Sequence, residues 1–392
     1  MCEWKECKLG EVYDFASGLS KSRDQFGFGY SFLSFKDVFH NYFIPKEITQ
    51  LANSTEKERE RCSIKRGDVF LTRTSETQEE LGMSSVALKD YPDATFNGFT
   101  KRLRPKNNME ILPEYAGFYF RSPRFRATVT SMASVTTRAS LNNGMLSELT
   151  IVIPPLPEQR AIASVLSSLD NKIDLLRRQN KTLEAMAEMQ FRQWFVEEAD
   201  EGWGERVLGD VIELFDHLRI PLSKMERDKK KDGKLYPYYG AAKIMDHINE
   251  FIFDGDYILL GEDGTVRTNE GYPVLQYATG KFWVNNHTHV IKAKPPYNNF
   301  FLWNYLSKKN IDEIITGAVQ PKINQGNLKA LDFPKFPTDL VMEFNERTES
   351  FFKKMNQNKS QVSTIEKLRD TLLPKLMSGE VRVKLEQEEV CI

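Results

Sequence analysis

One stretch decides the fold of this chain, Leu141-Asn142-Asn143-Gly144-Met145-Leu146, because it returns 182 positions later as Ile323-Asn324-Gln325-Gly326-Asn327-Leu328. The match continues without a gap to Thr182-Leu183-Glu184, which corresponds to Thr364-Ile365-Glu366. The repeated units of solenoid proteins are only about 20–50 residues long. A repeat of this length therefore indicates a duplicated half-protein, with two similar halves in 392 residues.

A second echo marks the starts of the two halves, where Leu9-Gly10-Glu11-Val12 corresponds to Leu208-Gly209-Asp210-Val211. Each half then runs through short β-type segments and turns, crosses prolines, and enters a long amphipathic stretch. The candidate strands are Phe70-Leu71, Ser85–Leu88, Thr150–Ile153, Tyr257–Leu260 and His289–Ile291, whereas Pro113–Phe120 and the segment after Arg121 are more helical.

The two amphipathic stretches have apolar residues at alternating intervals of four and three, which is the spacing of helices that pack side by side. Arg369 interrupts the second seam, where Leu368 is a substitute, and Pro374 is expected to kink or end that helix before Gly379 stops it. The seams are Ile162, Leu166, Leu169, Ile173, Leu176, Asn180, Leu183, Ala187, Gln190 and Trp194, and Phe344, Thr348, Phe351, Met355, Asn358, Val362, Ile365, Arg369, Leu372 and Leu376.

A lone apolar seam is unstable in water, so we expect the two helices to bury their seams against each other in an antiparallel pair. In such a pair the seam centres coincide and Asn180 faces Asn358, a polar contact that fixes register at some cost in stability. A pair of about 38 residues is roughly 57 Å long and would hold two domains at opposite ends. Pairing between two chains in a homodimer, or helices lying on their own domains, are the alternatives.

The predicted fold class is α+β, with two mixed α/β domains separated by two long antiparallel coiled-coil helices and a pseudo-two-fold internal repeat. The expected boundaries are 1–157 for the first mixed domain, 158–198 for the first helix, 199–338 for the second mixed domain, 339–380 for the second helix and 381–392 for a charged tail.

The composition fits an ordinary soluble protein, with 40% hydrophobic residues and a formal net charge of −1. Basic residues cluster at 101–106, 121–126 and 224–234, and such runs are commonly solvated surface. The four cysteines are scattered without a CxxC pair, which argues against disulfides and structural zinc. No apolar run approaches the ~18 residues of a membrane span, so we expect a cytoplasmic protein.

Motifs for catalysis are incomplete. In Lys294-Pro295-Pro296-Tyr297 a lysine stands where amino-methyltransferases carry an asparagine or aspartate, and lysine cannot accept a hydrogen bond from an amine. His287 and His289 share a strand face but have no third metal ligand in an expected motif. We therefore expect no catalytic residue, no metal and no cofactor.

The stretch that opens the first long helix resembles the central conserved region of the specificity subunits of type I restriction–modification enzymes: Pro154-Pro155-Leu156-Pro157-Glu158-Gln159-Arg160-Ala161-Ile162-Ala163. The second copy departs from this pattern, with Phe336-Pro337-Thr338-Asp339. Other stretches are similar to the target-recognition domains and the distal conserved region of the same family, namely Tyr30–Val38, Arg66–Thr74, Tyr236–Gly240, Phe253–Gly264, Asn286–Val290 and Leu372–Val381.

The resemblance implies a non-catalytic subunit that reads a bipartite, asymmetric site in double-stranded DNA through two target-recognition domains. It also implies two methyltransferase subunits and translocating restriction subunits as partners. We expect DNA contacts from Arg73, Thr74, Ser75, Lys101, Arg102 and Arg138 in the first half and from Tyr238, Lys243, Arg267, Gln320 and Lys322 in the second; Glu158, Gln159, Arg160, Asn180 and Asn358 are the candidates for partner binding and helix register.

Two other classes of protein stay open at this point. One is an enzyme, a DNA methyltransferase or nuclease that acts alone. The other is a coiled-coil adaptor without DNA specificity. Methyl transfer by the purified chain would favour the first, and homodimerisation without sequence-specific DNA binding would favour the second.

Overall fold

The structure, a computed structural model, describes residues 4–75, 80–106, 111–132, 139–200, 202–317 and 320–383. The chain divides into two compact units. The first unit comprises Met1–Leu175 with Gln361–Ile392, and the second comprises Leu176–Ser360. Each of the two long helices therefore contributes one part to each unit.

The first unit is built on a four-stranded central sheet in the order Tyr13–Ser17, Thr100–Pro105, Val69–Thr72, Ser84–Val86, with all neighbours antiparallel. Val69–Thr72 is buried along its whole length, as expected for an apolar inner strand. A smaller sheet has Phe26–Leu33 at its centre, antiparallel to Leu51–Ala52 and parallel to Thr95–Phe96.

The second unit repeats this plan. Its central sheet has the order Ile212–Leu214, Thr288–Ala293, Tyr257–Gly261, Leu275–Ala278, again antiparallel throughout. In its smaller sheet Tyr236–Tyr239 is antiparallel to one neighbour and parallel to another, which matches the first unit; the remaining strands of this sheet are Ile244–Ile248, Lys281–Val284 and Phe253–Asp254. The predicted α+β class and internal repeat are confirmed.

The repeated sequence stretch forms the same local structure in both units. The side chain of Asn142 accepts a hydrogen bond from the Met145 backbone N–H at 2.9 Å, and Asn324 accepts one from Asn327 at 2.8 Å. Both asparagines thus cap short helices, Asn143–Glu148 and Gln325–Ala330. The strands that follow, Thr150–Ile153 and Asp332–Pro334, pair antiparallel with the first strand of their unit, Lys5–Lys8 and Glu205–Val207 respectively.

The sequence similarity between the starts of the two halves, Leu9–Val12 and Leu208–Val211, has a steric cause. A Cβ atom on Gly10 would lie 2.9 Å from the Cβ of Ser147, and one on Gly209 would lie 3.0 Å from the Cβ of Lys329. The short helices Leu9–Val12 and Leu208–Val211 therefore approach the capped helix of their own unit too closely for a larger residue.

The remaining elements lie mainly on the flanks of the sheets. The predicted helical segment Pro113–Phe120 is confirmed as Pro113–Tyr119, and the segment after Arg121 as Pro123–Met132. The other short elements are the helices Phe35–His40, Glu56–Arg61, Lys224–Asp228 and Asn299–Leu306, the 3₁₀ turns Arg23–Gln25, Asp216–Leu218 and Asp312–Ile314, and the strand pair Thr74–Ser75 with Ala139–Ser140.

The long helices are Leu156–Arg192, followed by a π-helical turn over Gln193–Glu197, and Thr338–Ser378. In the first unit Ile162 and Leu166 share a core with Leu373 and Leu376. In the second unit Ala187 packs in one cluster with Met355. In these contacts the residue numbers rise along one helix and fall along the other, so the predicted antiparallel pairing is confirmed. No helix in the described ranges is long and apolar enough to cross a membrane.

The end of the second helix follows the prediction in one respect and departs from it in others. Gly379 stops the helix as predicted, with a φ of +76°, but Pro374 does not end it, because the helix continues to Ser378. Leu368 does not replace Arg369 in the seam, because its side chain is 47% exposed. Instead Arg369 Nη1 donates a hydrogen bond to Asp170 Oδ1 on the facing helix at 2.8 Å. Burial lowers the pKa of Arg369, but hydrogen bonds to Asp170 and Asp370 outweigh it and raise the pKa above its ordinary value.

The two seam asparagines face each other in the second unit. Asn358 Nδ2 donates to Asn180 Oδ1 at 2.8 Å, and Asn180 Nδ2 donates to the Met355 carbonyl at 3.1 Å. Asn358 is completely buried, so its amide depends on these contacts. A slip of one heptad would place an asparagine amide against an apolar side chain, which supports a role in register.

Replacing Asn180 with leucine is expected to lower the free energy of unfolding by about 1–3 kcal/mol, because the buried Asn358 amide loses its acceptor. Replacing both asparagines with leucine is expected to recover this loss, because no polar group is then left unpaired. Urea denaturation followed by circular dichroism measures both effects. A single variant as stable as the original chain would contradict the pairing.

Candidate nucleic-acid interface

Four polar side chains converge at the end of the strand Val69–Thr72 in the first unit. Lys101 Nζ donates hydrogen bonds to Ser17 Oγ and to Asn143 Oδ1, both at 2.8 Å. Arg73 lies close enough to act on Lys101 electrostatically. We call Ser17, Arg73, Lys101 and Asn143 the Arg73 cluster.

The Arg73 cluster is strongly basic. Lys101 is only 8% exposed, and burial, followed by the charge of Arg73, lowers the pKa of its amine. Arg73 Nε is buried and has no hydrogen-bond partner among the described residues. Two neighbouring cations with only neutral partners favour the approach of an anion.

The surroundings of the Arg73 cluster are open and polar. Thr74–Ser75 pairs with Ala139–Ser140, so the two predicted hydroxyl contacts lie directly beside Arg73. The backbone N–H of Arg73 donates to the carbonyl of Phe99, whose side chain is 60% exposed. The structure places Arg73, Thr74, Ser75 and Lys101 close together, and their contact with DNA stays a prediction. Arg138, predicted to belong to the same set, lies outside the described residues.

Arg102 occupies a different place from its neighbour Lys101. Successive residues of a strand point to opposite faces, and Arg102 Nη1 donates to the carbonyls of Arg61 and Ser63 at 3.3 and 2.6 Å. Burial lowers the pKa of this guanidinium. Its hydrogen bonds tie strand Thr100–Pro105 to the smaller sheet's side of the unit, so its DNA contact stays a prediction without geometric support.

The second unit carries a different set of side chains at the same positions. The backbone of Glu262 donates to the carbonyl of His287 and accepts from Ile323, just as Arg73 donates to Phe99 and accepts from Leu141. Strand pairing likewise matches His289 to Lys101, because Leu260 opposes His289 as Leu71 opposes Lys101. We call the equivalent residues Asp216, Glu262, His289 and Gln325 the His289 cluster.

The His289 cluster contains its own ion pairs. His289 is fully buried, with Nδ1 2.6 Å from Asp216 Oδ2 and Nε2 2.8 Å from the Ile323 carbonyl oxygen. The ring of His289 is thus held from both sides, by a carboxylate and by a backbone carbonyl. Burial raises the pKa of Asp216, but the contacts with His289, the Val290 N–H and Arg219 together outweigh it, and the pKa is lowered.

Three of these residues could be taken for metal ligands, because ligand atoms of Asp216, Glu262 and His289 lie within 4.8 Å of one another. Their contacts do not fit a metal ion. Gln325 Nε2 donates to Asp216 Oδ2 at 2.7 Å, and Arg219 Nη1 donates to Glu262 Oε2 at 2.6 Å. An ion would have to displace the Arg219 guanidinium from Glu262 and the Gln325 amide from Asp216.

The other predicted contacts of the second unit fall into two groups. Lys322 is exposed beside the His289 cluster, with Nζ 3.3 Å from Glu262 Oε1, and Gln320 is exposed two residues earlier. Arg267 is exposed and paired with Asp312 at 3.2 Å. By contrast Tyr238 is buried in the smaller sheet, where its hydroxyl accepts from the Leu222 N–H, while Lys243 is exposed in the turn that follows that strand.

The residues that open the first long helix have distinct roles. Glu158 is buried and accepts hydrogen bonds from Trp4 Nε1 at 2.8 Å and from Arg382 Nη1 at 2.6 Å. Gln159 Oε1 accepts from the Leu112 N–H at 2.9 Å, and its Nε2 donates to the Pro154 carbonyl at 2.9 Å. Arg160 is exposed. Glu158 and Gln159 thus fix the helix start inside the first unit.

Several residues of both clusters escaped the sequence analysis, namely Ser17, Asn143, Asp216, Glu262 and Gln325. The repeat contained the signal for most of them. Asn143 and Gln325 are equivalent positions of the repeated stretch, and the offset of 199 that relates Leu9 to Leu208 also relates Ser17 to Asp216. The neighbour Phe99 carries no sequence signal beyond its aromatic character.

The chain thus consists of two units with the same arrangement of elements, and each unit contains part of both long antiparallel helices. This architecture defines a duplicated two-unit protein. The family model described as the type I restriction modification DNA specificity domain matches residues 1–185 and 200–337. The chain belongs to this family, which confirms the resemblance.

Individual relatives support the same family. A type I restriction enzyme MjaIX specificity subunit from Methanocaldococcus jannaschii is 24% identical over 97% of this chain and 94% of its own length. A putative specificity subunit from Haemophilus influenzae, S.HindORF215P, is 32% identical over 39% of this chain and 38% of its own length. The crystal structure of an S subunit from M. genitalium has the same fold, with a TM-score of 0.59, 17% identity and coverage of 95% and 96% of the two chains.

Proposed function

We propose that this chain is the DNA-reading subunit of a type I restriction–modification complex and that each unit reads one half of a bipartite, asymmetric site in double-stranded DNA. One observation carries the proposal. The two units share a scaffold down to equivalent backbone hydrogen bonds, yet Arg73 and Lys101 stand where the other unit has Glu262 and His289. Two units of one plan that carry different side chains at equivalent positions would contact DNA differently, which fits an asymmetric site.

The proposed contacts in the first unit centre on the Arg73 cluster. Arg73, Thr74 and Ser75 lie together at the strand end, with Lys101 behind them, so this group is the first choice for DNA contact. In the second unit the exposed candidates are Lys243, Arg267, Gln320 and Lys322. Arg102 and Tyr238 would act by holding the smaller sheet in place, and Arg138 completes the proposed set.

The proposal includes docking of two methyltransferase subunits and of restriction subunits. Glu158 and Gln159 hold the start of the first long helix within its own unit, and Arg160 is exposed at its first turns. An exposed arginine on a rigid helix is a suitable anchor for a partner surface. The register pair Asn180 and Asn358 would keep the two halves of that surface aligned.

The chain is proposed to be non-catalytic. Tyr297, the aromatic residue of the incomplete Lys294-Pro295-Pro296-Tyr297 motif, is buried against Phe301 and Phe333 with ring centroids 5.1 and 5.2 Å away. Its ring is therefore not available to stack on an extruded base. The His289 cluster is occupied by internal ion pairs, which supports the same conclusion.

Exchange of residues 1–157 for the corresponding region of another specificity subunit tests the proposal. The assembled complex is expected to methylate a site in which one half-sequence changes and the other is retained, because each unit acts independently. Sequencing of modified bases across the host genome measures both halves.

The exchange has a matched control and a clear contrary result. Exchange of residues 199–338 should change the opposite half-sequence. A site that keeps both half-sequences after either exchange would contradict the proposal. Methyl transfer by the purified chain without added subunits would instead favour an enzyme that acts alone.

A further inference from the structure

The Arg73 cluster holds two positive charges and no negative one among the residues that the structure describes. The partners of Lys101 Nζ, Ser17 Oγ and Asn143 Oδ1, are neutral. Arg73 Nε is buried without a partner in the same part of the chain. Burying a charge is costly unless an opposite charge compensates it. The cluster is thus poised to receive an anion from outside the chain.

In the second unit, the basic side chains at the equivalent position are paired with acidic side chains of the same unit. There Glu262 stands where Arg73 stands, and Asp216 stands opposite His289 as Ser17 stands opposite Lys101. The carboxylates of Asp216 and Glu262 pair with His289 and Arg219. At this position the basic side chains are already paired with carboxylates of the chain, so an anion would have to compete with Asp216 and Glu262.

We propose that the Arg73 cluster binds one phosphate of the DNA backbone and that the His289 cluster binds none. The inference rests on the proposed function for the identity of its ligand. An arginine fork matches the geometry of a phosphate, and the hydroxyl of Thr74 lies beside it. The Ser75 hydroxyl already donates to Glu80 Oε2 at 3.2 Å, so it is not counted as a donor to the phosphate. Lys101 is too deeply buried to reach a base edge, so it acts through its charge.

In this proposal the two units hold the DNA backbone differently. Phosphate contacts position a protein on the duplex but carry no sequence information. The first unit would therefore anchor the backbone through Arg73, while exposed neighbours such as Phe99 are left to contact bases. The second unit would depend on other side chains for its hold on DNA.

Inorganic phosphate tests the site without DNA. Titration of the full chain with phosphate, followed by ³¹P NMR, is expected to show binding that Arg73→Gln weakens about tenfold, the factor for losing one charge-assisted hydrogen bond. Arg73→Lys should retain part of the affinity because it retains the charge. Lys65→Gln is the control, since Lys65 is exposed in the turn that precedes the strand Val69–Thr72, away from the end that carries Arg73. Equal phosphate binding by the original chain and Arg73→Gln, or no binding by either, would overturn the site.

The second experiment uses the assembled complex and a duplex that carries the site it methylates. The dependence of the logarithm of affinity on the logarithm of salt concentration is expected to become shallower by about 0.9 in Arg73→Gln, because one phosphate contact is lost. Lys65→Gln should leave it unchanged. An unchanged slope in Arg73→Gln would overturn the assignment to DNA phosphate, as would an altered methylated sequence, because Arg73 would then read a base. A complex that binds no DNA at all would refute the proposed function, whereas the phosphate titration would still decide the anion site.

Discussion

Replacing Phe344 with alanine is expected to lower the free energy of unfolding of the second unit by about 3–5 kcal/mol, the usual cost of truncating a buried aromatic ring. Phe344 is completely buried. Its ring centroid lies 5.6 Å from those of Phe191, Phe195 and Phe301, each in an edge-to-face arrangement. One substitution therefore removes contacts between the two long helices and the helix Asn299–Leu306 at once.

Tryptophan fluorescence during urea denaturation can measure this loss. Four of the five tryptophans lie in the second unit, so the signal reports mainly on that unit; they are Trp194, Trp203, Trp283 and Trp303. Met342→Ala is the control, because Met342 lies on the same helix and in the same unit but its side chain is 58% exposed, and it should change the stability little. A Phe344→Ala variant as stable as this control would show that the aromatic cluster does not hold the unit together.

The helix pair could be predicted from the sequence because the apolar spacing that produces it is local and periodic. Heptad spacing places an apolar seam on each helix, and the facing of Asn180 and Asn358 follows once the seams are centred on each other. Arg369 shows the limit of this reasoning. Hydropathy marks it as an interruption, but its ion pair with Asp170 depends on which residue of the facing helix lies opposite.

The candidate interface was only partly predictable, for a different reason. A strand exposes its residues alternately on two faces, and the sequence does not say which face is open. Lys101 and Arg102 are adjacent basic residues that the sequence does not distinguish. Lys101 belongs to the Arg73 cluster, whereas Arg102 donates to the carbonyls of Arg61 and Ser63. Tyr238 was misleading in the same way, because an aromatic residue in a turn-rich segment suits either a binding surface or a core.

The repeat also contained information that composition and motifs did not. Equivalent positions that keep one residue type, such as the capping Asn142 and Asn324, belong to the shared scaffold. Equivalent positions that differ in charge, such as Arg73 and Glu262, are not needed for the shared scaffold. Their side chains can therefore differ with the DNA that each unit contacts. A duplicated chain thus offers an internal comparison that separates folding from recognition.

Asp216→Asn is expected to destabilise the second unit by about 3–5 kcal/mol near neutral pH, because it removes the carboxylate charge from the buried pair of Asp216 with His289. Asp216 Oδ2 faces His289 Nδ1 and Gln325 Nε2, and Oδ1 accepts from the Val290 N–H at 2.8 Å. An asparagine can replace the neutral contacts but not the charge. Asp312→Asn is the control, since the exposed pair of Asp312 with Arg267 is worth less than about 1 kcal/mol.

The effect of Asp216→Asn should also depend on pH in a defined direction. Because the folded-state pKa of Asp216 is lowered from its ordinary value of 3.8, its contribution is fully present above that value and is lost as the pH falls through the lower, folded-state pKa. The stability difference between the original chain and the variant should therefore be large at about pH 5 and smaller at about pH 3. Tryptophan fluorescence in urea at the two pH values tests this, and a difference that grows toward low pH would show that Asp216 is not held ionised by His289.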